Sequence, residues 1–434
     1  MKKKGYNLKE ISYFSLFVIS LFFILLERIT IPKINMTPYR ILVGILLFFV
    51  FVELIKLKRV LVSKDMIFFI SFLILSSIIG LEKRNIVIFM TYVFMSIVLI
   101  IFYNLLIMIK IDSIKLTKLS FIISIILFIS SITLITDYFS ITKFYLIFNE
   151  NVLHDLLHGR GSSILGGEPN LSASRICSLL PFNIFYIIYG KKTKITNMNN
   201  YIGKQFFSLL TLFITVIAII LTGSRMGLLA VGLIIFFVLF KEIRSSKFII
   251  KVGVTFFVIV LIILMAFSMK LIKDQKKAQI RLESISSISK FDATTFEDME
   301  HSMFVRLMLF SVGIQLIKNN PIFGVGIGNA KYLSIKYLPM FENMKHLHNT
   351  YLDIGSENGL IMLAIFLYIL FSILWKSYKC YLRKEDDFCY YFSVAFFILI
   401  FCFFFLSDFS NKLYWNFFLP LGFHIKNFNN EDVV

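Results

Sequence analysis

The sequence predicts an all-α, polytopic integral membrane protein with about twelve transmembrane helices and one large outside loop carrying short amphipathic helices. Composition is the first observation behind this class: 58% of the 434 residues are hydrophobic and only 16% are charged, whereas soluble domains have about 25% charged residues. The second is the recurrence of long apolar runs rich in Ile, Leu and Phe, of which Phe alone accounts for 51 residues. Together they exclude an ordinary soluble enzyme.

The spans are predicted from apolar runs close to the length that crosses a bilayer, about 20 residues. They lie at 11–26, 41–57, 66–81, 86–109, 119–138, 171–189, 206–222, 226–240, 248–269, 359–375, 388–407 and 413–423. The first follows a short run of lysines and imitates a signal peptide. Because no small-x-small cleavage site follows it, we interpret it as a retained first transmembrane helix.

The net charge of +19 indicates orientation rather than nucleic-acid binding, because the basic residues are unevenly placed. With the amino terminus inside, 24 of the 45 basic residues lie in inside segments and seven in short outside loops. This bias predicts two long outside loops, near 139–170 and at 270–358. The chain then divides into nine spans over 1–269, the large loop 270–358, and three spans with an inside tail over 359–434.

Two further patterns bear on the organisation. Residues 302–318 have helical apolar spacing that ends at an Asn-Asn-Pro sequence, which predicts an amphipathic helix within the large loop. The four cysteines form no CxxC pair and have no histidine at metal-ligand spacing. We therefore expect buried or cytoplasm-facing thiols rather than a metal site or a disulfide framework.

Function in a membrane protein concentrates at polar groups that the bilayer would otherwise exclude. Arg225 follows a Thr-Gly-Ser turn between two apolar runs; it either anchors a helix end at the interface or grips an anion with its guanidinium fork. Arg306 lies on the amphipathic helix, before glycines 324, 326 and 328. Those glycines either bring backbone amides to a ligand or form a flexible turn.

Two other polar stretches are candidates. His348 precedes a short predicted helix, where the helix dipole favours the neutral imidazole that can accept a proton; a capping or surface histidine is the alternative. Glu168 and Asn170 flank a proline that suits the start of a helix, so they also fit a loop and cap. Arg175, about one turn inside that helix, needs a cavity or a partner.

Taken in order, these stretches resemble the O-antigen ligase and O-antigen polymerase superfamily of bacterial envelope glycosyltransferases. The resemblance rests on the Gly-Gly-Glu-Pro-Asn run at 166–170, the Gly-Ser-Arg turn at 223–225, Arg306 before the Asn-Pro-Ile-Phe-Gly-Val-Gly run at 320–326, and above all the His-Asn-Thr-Tyr-Leu…Glu-Asn-Gly-Leu motif at 348–360. The motifs span roughly residues 160–375.

The resemblance implies a metal-independent glycosyltransferase without a cofactor, in the bacterial inner membrane, with its active site facing the periplasm. Its donor would be an undecaprenyl-pyrophosphate-linked oligosaccharide, attacked by a sugar hydroxyl of the acceptor. Arg225 and Arg306 would stabilise the leaving pyrophosphate, and His348 would orient or deprotonate the hydroxyl. Substrate-binding roles are expected for the remaining polar residues of these motifs. They are Arg160, Arg175, Glu168, Asn170, Asn349 and Glu357.

Three functions remain open. An O-antigen polymerase, which joins lipid-linked repeats, is slightly favoured by the Gly-Glu-Pro-Asn loop and the Phe/Ile/Lys-rich composition. An O-antigen ligase, which transfers the glycan to lipid A-core, fits the same motifs. A lipid-linked oligosaccharide flippase shares the span count, but no internal repeat is visible. Expected partners are the lipid-linked donor, the glycan or lipid A-core acceptor, membrane lipids and a possible chain-length regulator, but no nucleic acid.

Overall fold

A computed structural model gives the structure of the protein for residues 8–25, 37–57, 60–79, 81–82, 85–139, 141, 161–165, 167–192, 198–243, 301–337, 347–384 and 386–428. The helices are α1 Leu8–Ile24, α2 Pro38–Leu57, α3 Lys64–Ile78, α4 Ile86–Ile109, α5 Ser113–Tyr138, α6 Pro169–Tyr189, α7 Met198–Leu221, α8 Arg225–Ile243, α9 His301–Asn319, α10 Ala330–Tyr337, α11 Thr350–Lys384, α12 Asp387–Phe403 and α13 Leu419–Phe428, the last preceded by a π-helical turn at Tyr414–Phe418. No strand occurs within these ranges, which confirms the all-α prediction for them.

Six described helices are long and apolar enough to cross a membrane, which supports a multi-pass membrane protein. They are Pro38–Lys56, Ile86–Ile109, Ser113–Tyr138, Pro169–Tyr189, Tyr201–Leu221 and Thr350–Arg383, with two shorter apolar helices at Tyr13–Ile24 and Asp387–Phe403. The predicted span 248–269 and much of the predicted loop 270–358 lie outside the described residues. The count of about twelve spans and the three-part division of the chain therefore stay predictions.

Helix α6 is the central helix of the described bundle. In its most apolar window 89% of the residues are buried by protein, against 29–56% in the other five candidate spans. Helices α5, α7, α8 and α12 pack around it. Buried Asn183 of α6 accepts a hydrogen bond from Ser124 Oγ of α5 (2.7 Å) and donates one to the Ser208 carbonyl of α7 (3.2 Å). Such polar contacts fix neighbouring helices in one register.

Helix α11 is bent at Gly359, where φ is +84° and ψ is 172°. A short first part, 350–358, is thereby set at an angle to the long apolar part. The segment from Pro321 to Gly326 packs into the bend, with the Leu360 N–H donating to the Pro321 carbonyl at 2.8 Å. A side chain at 359 would overlap the backbone of Ile322, so glycine is required here by both its φ angle and its neighbour.

The four cysteines are all free and buried, which confirms the predicted thiols. Their spacing did not predict that Cys380, near the end of α11, and Cys389, near the start of α12, would meet with Sγ atoms 2.7 Å apart. With Asp386 they bring three potential metal-ligand atoms within 4.8 Å of one another. This cluster lies about thirty residues along α11 from His348, at the far end of that helix.

Candidate active site

A cavity of about 390 Å³ opens where four chain segments meet at one end of the bundle. These segments are the start of α2, the start of α6, the residue at 348 before α11, and the 406–412 loop after α12. The lining side chains are predominantly polar, with three permanent cations. They are Thr37, Tyr39, Arg40, Glu168, Leu171, Arg175, His348, Leu406, Ser407, Asp408, Ser410 and Lys412. All four segments were predicted to lie on the outside face of the membrane, and the fold places them together.

A buried ion pair forms the floor of the cavity. Arg175 Nη2 lies 3.3 Å from Asp408 Oδ1, and the two side chains are 2% and 6% exposed. Arg175 Nη1 donates to the Leu165 carbonyl at 2.6 Å. Asp408 Oδ2 accepts from Asn411 Nδ2 at 2.7 Å. The sequence required a cavity or a partner for Arg175, and the structure supplies both.

Thr350 ties the histidine motif to the loop that carries Asp408. Its Oγ1 donates to the Leu406 carbonyl at 2.6 Å and accepts from the Asp408 N–H at 3.1 Å. Thr350 is the first residue of α11, so the start of that helix and the 406–408 backbone move as one unit. The position of His348 relative to the Arg175–Asp408 pair is therefore fixed by short, buried hydrogen bonds.

His348 has a left-handed backbone, with φ of +55°, a conformation that costs energy for residues other than glycine. Both neighbours hold it there. Asn349 caps α11, because its Oδ1 accepts from the N–H groups of Tyr351 and Leu352 at 3.0 and 3.1 Å. The Leu347 N–H donates to Asp353 Oδ1 at 3.3 Å. This backbone presents an exposed imidazole to the cavity.

Three of the sequence-predicted site residues line the cavity: His348, Arg175 and Glu168. The prediction that a helix follows His348 is confirmed, and so is the helix start at Pro169 after Glu168. Asn349 acts as a helix cap behind His348. Asn170, in the first turn of α6, is partly buried, and Arg160 lies outside the described residues.

Arg225 and Arg306 are not among the described lining residues of this cavity. Arg225 is exposed at the first position of α8. That end of α8 adjoins α6, since a Cβ on Gly227 would lie 2.9 Å from Ala173 Cβ. Arg306 lies two turns before Gly313 on the same face of α9. A Cβ on Gly313 would lie 3.2 Å from the Leu347 side chain, so α9 packs beside the histidine motif.

The glycine-rich segment 324–328 packs inside the protein. The N–H groups of Val325 and Gly326 donate to the carbonyls of Ser356 and Glu357 at 2.8 and 2.9 Å. The Glu357 carboxylate accepts from the backbone N–H groups of Gly328 and Ala330. Of the two interpretations left open by the sequence, a turn is therefore the one that the structure supports. Glu357 holds this turn against α11.

Nine of the twelve lining residues were not predicted as site residues, and four of these nine have a ring or a charge, namely Tyr39, Arg40, Asp408 and Lys412. Arg40 and Lys412 were counted only as charges of short outside loops. The position of these two cations could have identified them as site residues, because each lies at the outside end of an apolar run, as Arg175 does. Asp408 is an acidic residue in a five-residue loop between two spans, and that placement was the clue to a buried partner for Arg175.

Comparison with known proteins bears on the same segments. Residues 210–367, about a third of the chain, match a family model described as O-Antigen ligase. The predicted resemblance to the O-antigen ligase superfamily is confirmed. The chain is also 23% identical over 397 residues to the ComP-specific O-oligosaccharyltransferase of Acinetobacter baylyi, covering 88% of this chain and 66% of that protein. It thus spans slightly less than two thirds of the relative's length.

The part of the chain that matches the O-antigen ligase model contains Arg225, Arg306 and His348. It excludes Arg175, which lies on α6, and Asp408, which lies in the loop after α12. The cavity is thus assembled from both the matched segment and the flanking helices. The histidine motif lies within the segment that matches the family model, and the structure adds the cations that line the same cavity as His348.

Proposed function

We propose that this protein is a membrane glycosyltransferase that moves an undecaprenyl-pyrophosphate-linked glycan onto a hydroxyl of an acceptor, in the inner membrane with its site facing the periplasm. One observation carries the proposal: His348, on a strained backbone, lines the same cavity as Arg40, Arg175 and Lys412. A potential base and a set of cations in one cavity suit a reaction in which a hydroxyl loses a proton and a pyrophosphate departs.

The three cations of the cavity differ in how firmly the protein holds them. Arg175 is fixed by Asp408 and by the Leu165 carbonyl, so it supplies a preorganised positive edge whose charge is partly balanced. Arg40 is exposed and Lys412 half-buried at the cavity rim, where a lipid-borne phosphate can reach them. We assign these two to the pyrophosphate oxygens, with the guanidinium of Arg40 able to bind two oxygens at once.

In the proposed step, the acceptor oxygen forms a bond to the anomeric carbon while the bond from that carbon to the pyrophosphate oxygen breaks. The hydroxyl proton passes to the His348 imidazole. The electron pair of the broken bond stays on undecaprenyl pyrophosphate, whose added charge the cations stabilise. Pyrophosphate is already a good leaving group, so the step needs no acid to protonate it.

For Arg225 and Arg306 we retain a role in binding the pyrophosphate, exerted from the helices that flank the cavity. Arg225 is exposed and Arg306 half-buried, and the field of such cations raises the local concentration of an anionic donor and weakens with salt. Asn349 and Glu357 act through position, by capping α11 and by holding the 324–328 turn. Asn170, and Arg160 in the preceding loop, are proposed to bind the glycan.

The acceptor defines two candidate functions. O-antigen polymerase follows from the sequence composition and implies a second lipid-linked repeat as acceptor, with a chain-length regulator as possible partner. The description of the matched family favours O-antigen ligase instead, with lipid A-core as acceptor. A deletion strain separates them on a lipopolysaccharide gel. Core with one repeat indicates a lost polymerase, whereas bare core with accumulated lipid-linked polymer indicates a lost ligase.

The variant His348→Gly tests the proposal that His348 accepts the hydroxyl proton. Glycine accepts the left-handed backbone and leaves a space where imidazole can bind. We expect a folded, membrane-inserted protein whose glycan transfer is lost and then partly restored by added imidazole, more so as pH rises and imidazole becomes neutral. The readout is transfer from a lipid-linked donor in membranes. Normal transfer by this variant without imidazole would contradict the proposal.

Arg40→Ala and Arg40→Lys test the pyrophosphate site. The alanine variant should raise the KM for the lipid-linked donor, and lysine should restore it only in part because a point charge loses the bidentate fork. Glu53→Gln is a control on the same helix, α2, away from the described cavity lining. If Arg40→Ala and the control had equal KM values for the donor, Arg40 would not be part of the pyrophosphate site.

A further inference from the structure

A second cavity of about 100 Å³ adjoins the first and shares Ser407 and Ser410 with it. Its chemistry is different. The first cavity has three cations and two carboxylates, whereas the second has two carboxylates and a single cation, together with two aromatic rings. The lining residues are Ile88, Tyr92, Gly328, Lys331, Asp353, Ile354, Glu357, Asn358, Ser407, Phe409 and Ser410.

The two carboxylates lie on one face of the first part of α11, because Asp353 and Glu357 are four residues apart. Backbone groups hold each of them: the Leu347 N–H donates to Asp353, and the Gly328 and Ala330 N–H groups donate to Glu357. A carboxylate offers about four acceptor positions. Each group thus has a fixed orientation and retains acceptor capacity for hydroxyl groups of a ligand.

The aromatic wall is equally fixed. The rings of Tyr92 and Phe409 meet edge to face, with centroids 5.3 Å apart and planes at 82°. Behind the adjoining wall lies Asn85, which is fully buried and whose Oδ1 accepts no hydrogen bond from the described residues. That oxygen would be 3.3 Å from a Cβ on Gly328, a lining residue.

We propose that this acid-lined cavity binds one sugar ring and holds it beside His348. The inference rests on the proposed function and adds to it the place of the sugar. Acidic side chains outnumber cations in this cavity, which disfavours pyrophosphate and favours polyhydroxyl or amino-sugar groups, since these donate hydrogen bonds. The aromatic rings offer apolar faces to the C–H face of a pyranose. At about 100 Å³ the space suits a single ring, since pockets for larger ligands start near 300 Å³.

Proximity to the histidine supports the placement. Asp353, through the Leu347 N–H, fixes the residue before His348, and Ser407 and Ser410 form the wall common to both cavities. A ring in the second cavity would therefore be separated from the cavity that His348 lines only by the shared serine wall. The pyrophosphate and the sugar would occupy separate, adjoining spaces, the first with an excess of cations and the second with an excess of acidic side chains.

Trp415 reports on this cavity directly. Its Nε1 donates to the Phe409 carbonyl at 2.7 Å, and its ring lies 5.5 Å from that of Phe409. The chain has two tryptophans, so Trp375→Phe leaves Trp415 as the sole source of tryptophan emission. The full-length protein in lipid nanodiscs is titrated with N-acetylglucosamine, glucosamine and glucose, and separately with sodium pyrophosphate.

We expect a saturable change in Trp415 emission with at least one of the three sugars. Asp353→Asn, which keeps the size and the acceptor oxygen facing Leu347, should weaken that binding about tenfold, as expected for loss of a hydrogen bond to a charged group. Glu53→Gln is the matched control and should bind as the parent does. No saturable response in the parent, or equal affinity in Asp353→Asn and the control, would overturn the proposal.

Pyrophosphate separates this inference from the function on which it rests. Asp353→Asn should not weaken pyrophosphate binding, whereas Arg40→Ala should. If the protein bound sugar in an Asp353-dependent way but transferred no glycan, the proposed sugar site would stand and the proposed glycosyltransferase function would be refuted. The lipid-linked donor identifies the source of the ring. If saturating donor blocks the free sugar, the cavity holds the donor's sugar; if free sugar still binds, it holds the acceptor's.

Discussion

The ion pair between Arg175 and Asp408 makes a quantitative prediction for Asp408→Ala. The charged atoms are 3.3 Å apart and the two side chains are 2% and 6% exposed, so solvent screens their attraction only weakly. Removing one partner of such a pair leaves an uncompensated buried charge and lowers the free energy of unfolding by about 3–5 kcal/mol. Asp408 also accepts from Asn411. We therefore expect the free energy of unfolding to fall by about 3–5 kcal/mol.

The assay is unfolding of the purified full-length protein from mild detergent by increasing dodecyl sulfate, followed by tryptophan emission. A double-mutant cycle with Arg175→Met isolates the pair, because the double variant should be less destabilised than the sum of the single variants by about 1 kcal/mol or more. Lys56→Ala is the control. Its ion pair with Glu53 is 3.0 Å long but exposed, at 65% and 28%, and should contribute below about 1 kcal/mol.

Two results would refute the reasoning. The first is a loss of less than about 1 kcal/mol in Asp408→Ala, which would put the pair in the range of exposed ion pairs. The second is strict additivity of Asp408→Ala and Arg175→Met, which would show that the two side chains do not interact in the folded protein. In either case Arg175 would not be the fixed cation of the cavity.

Three further substitutions are predicted from local geometry. Gly359→Ala should lower the unfolding temperature and Gly232→Ala should not, because a Cβ overlaps the backbone of Ile322 at the first and meets nothing within 4 Å at the second. Asn349→Ala should cost about 1 kcal/mol through loss of the helix cap, with Asn349→Ser close to the parent, measured by the same dodecyl sulfate unfolding. Lys241→Met should cost about 2 kcal/mol or more, measured in the same way, because its ammonium lies 2.9 Å from Asp387 Oδ1 and 4.5–5.2 Å from four tyrosine rings. An unchanged midpoint would contradict this.

The helices were predictable where an apolar run has sharp ends. The predicted span 86–109 matches α4 at both ends, because Asn85 and Lys110 bound an unbroken apolar run. The predicted span 206–222 is eight residues short at its start, since α7 begins at Met198 with polar turns that carry no hydrophobic signal. Helix α11 joins the short helix predicted after His348 to the span predicted from 359. Its polar first part, 350–358, is capped by Asn349, and the bend at Gly359 sets it at an angle to the span.

The site was predictable only in part, and Arg175 shows why. Its place inside an apolar helix demanded a partner or cavity, a requirement that follows from solvation alone. The sequence offered several carboxylates at the same end of the predicted bundle, among them Asp137, Glu168, Asp353 and Asp408. Choosing among them requires knowing that α12 packs against α6, which hydrophobic periodicity does not encode, because periodicity shows which face of a helix is buried but not which helix covers it. Arg175 and Asp408 are 233 positions apart in the sequence, and the packing of α12 against α6 brings them into contact. Solvation therefore predicts that Arg175 has a counter-charge, whereas the fold decides which residue supplies it.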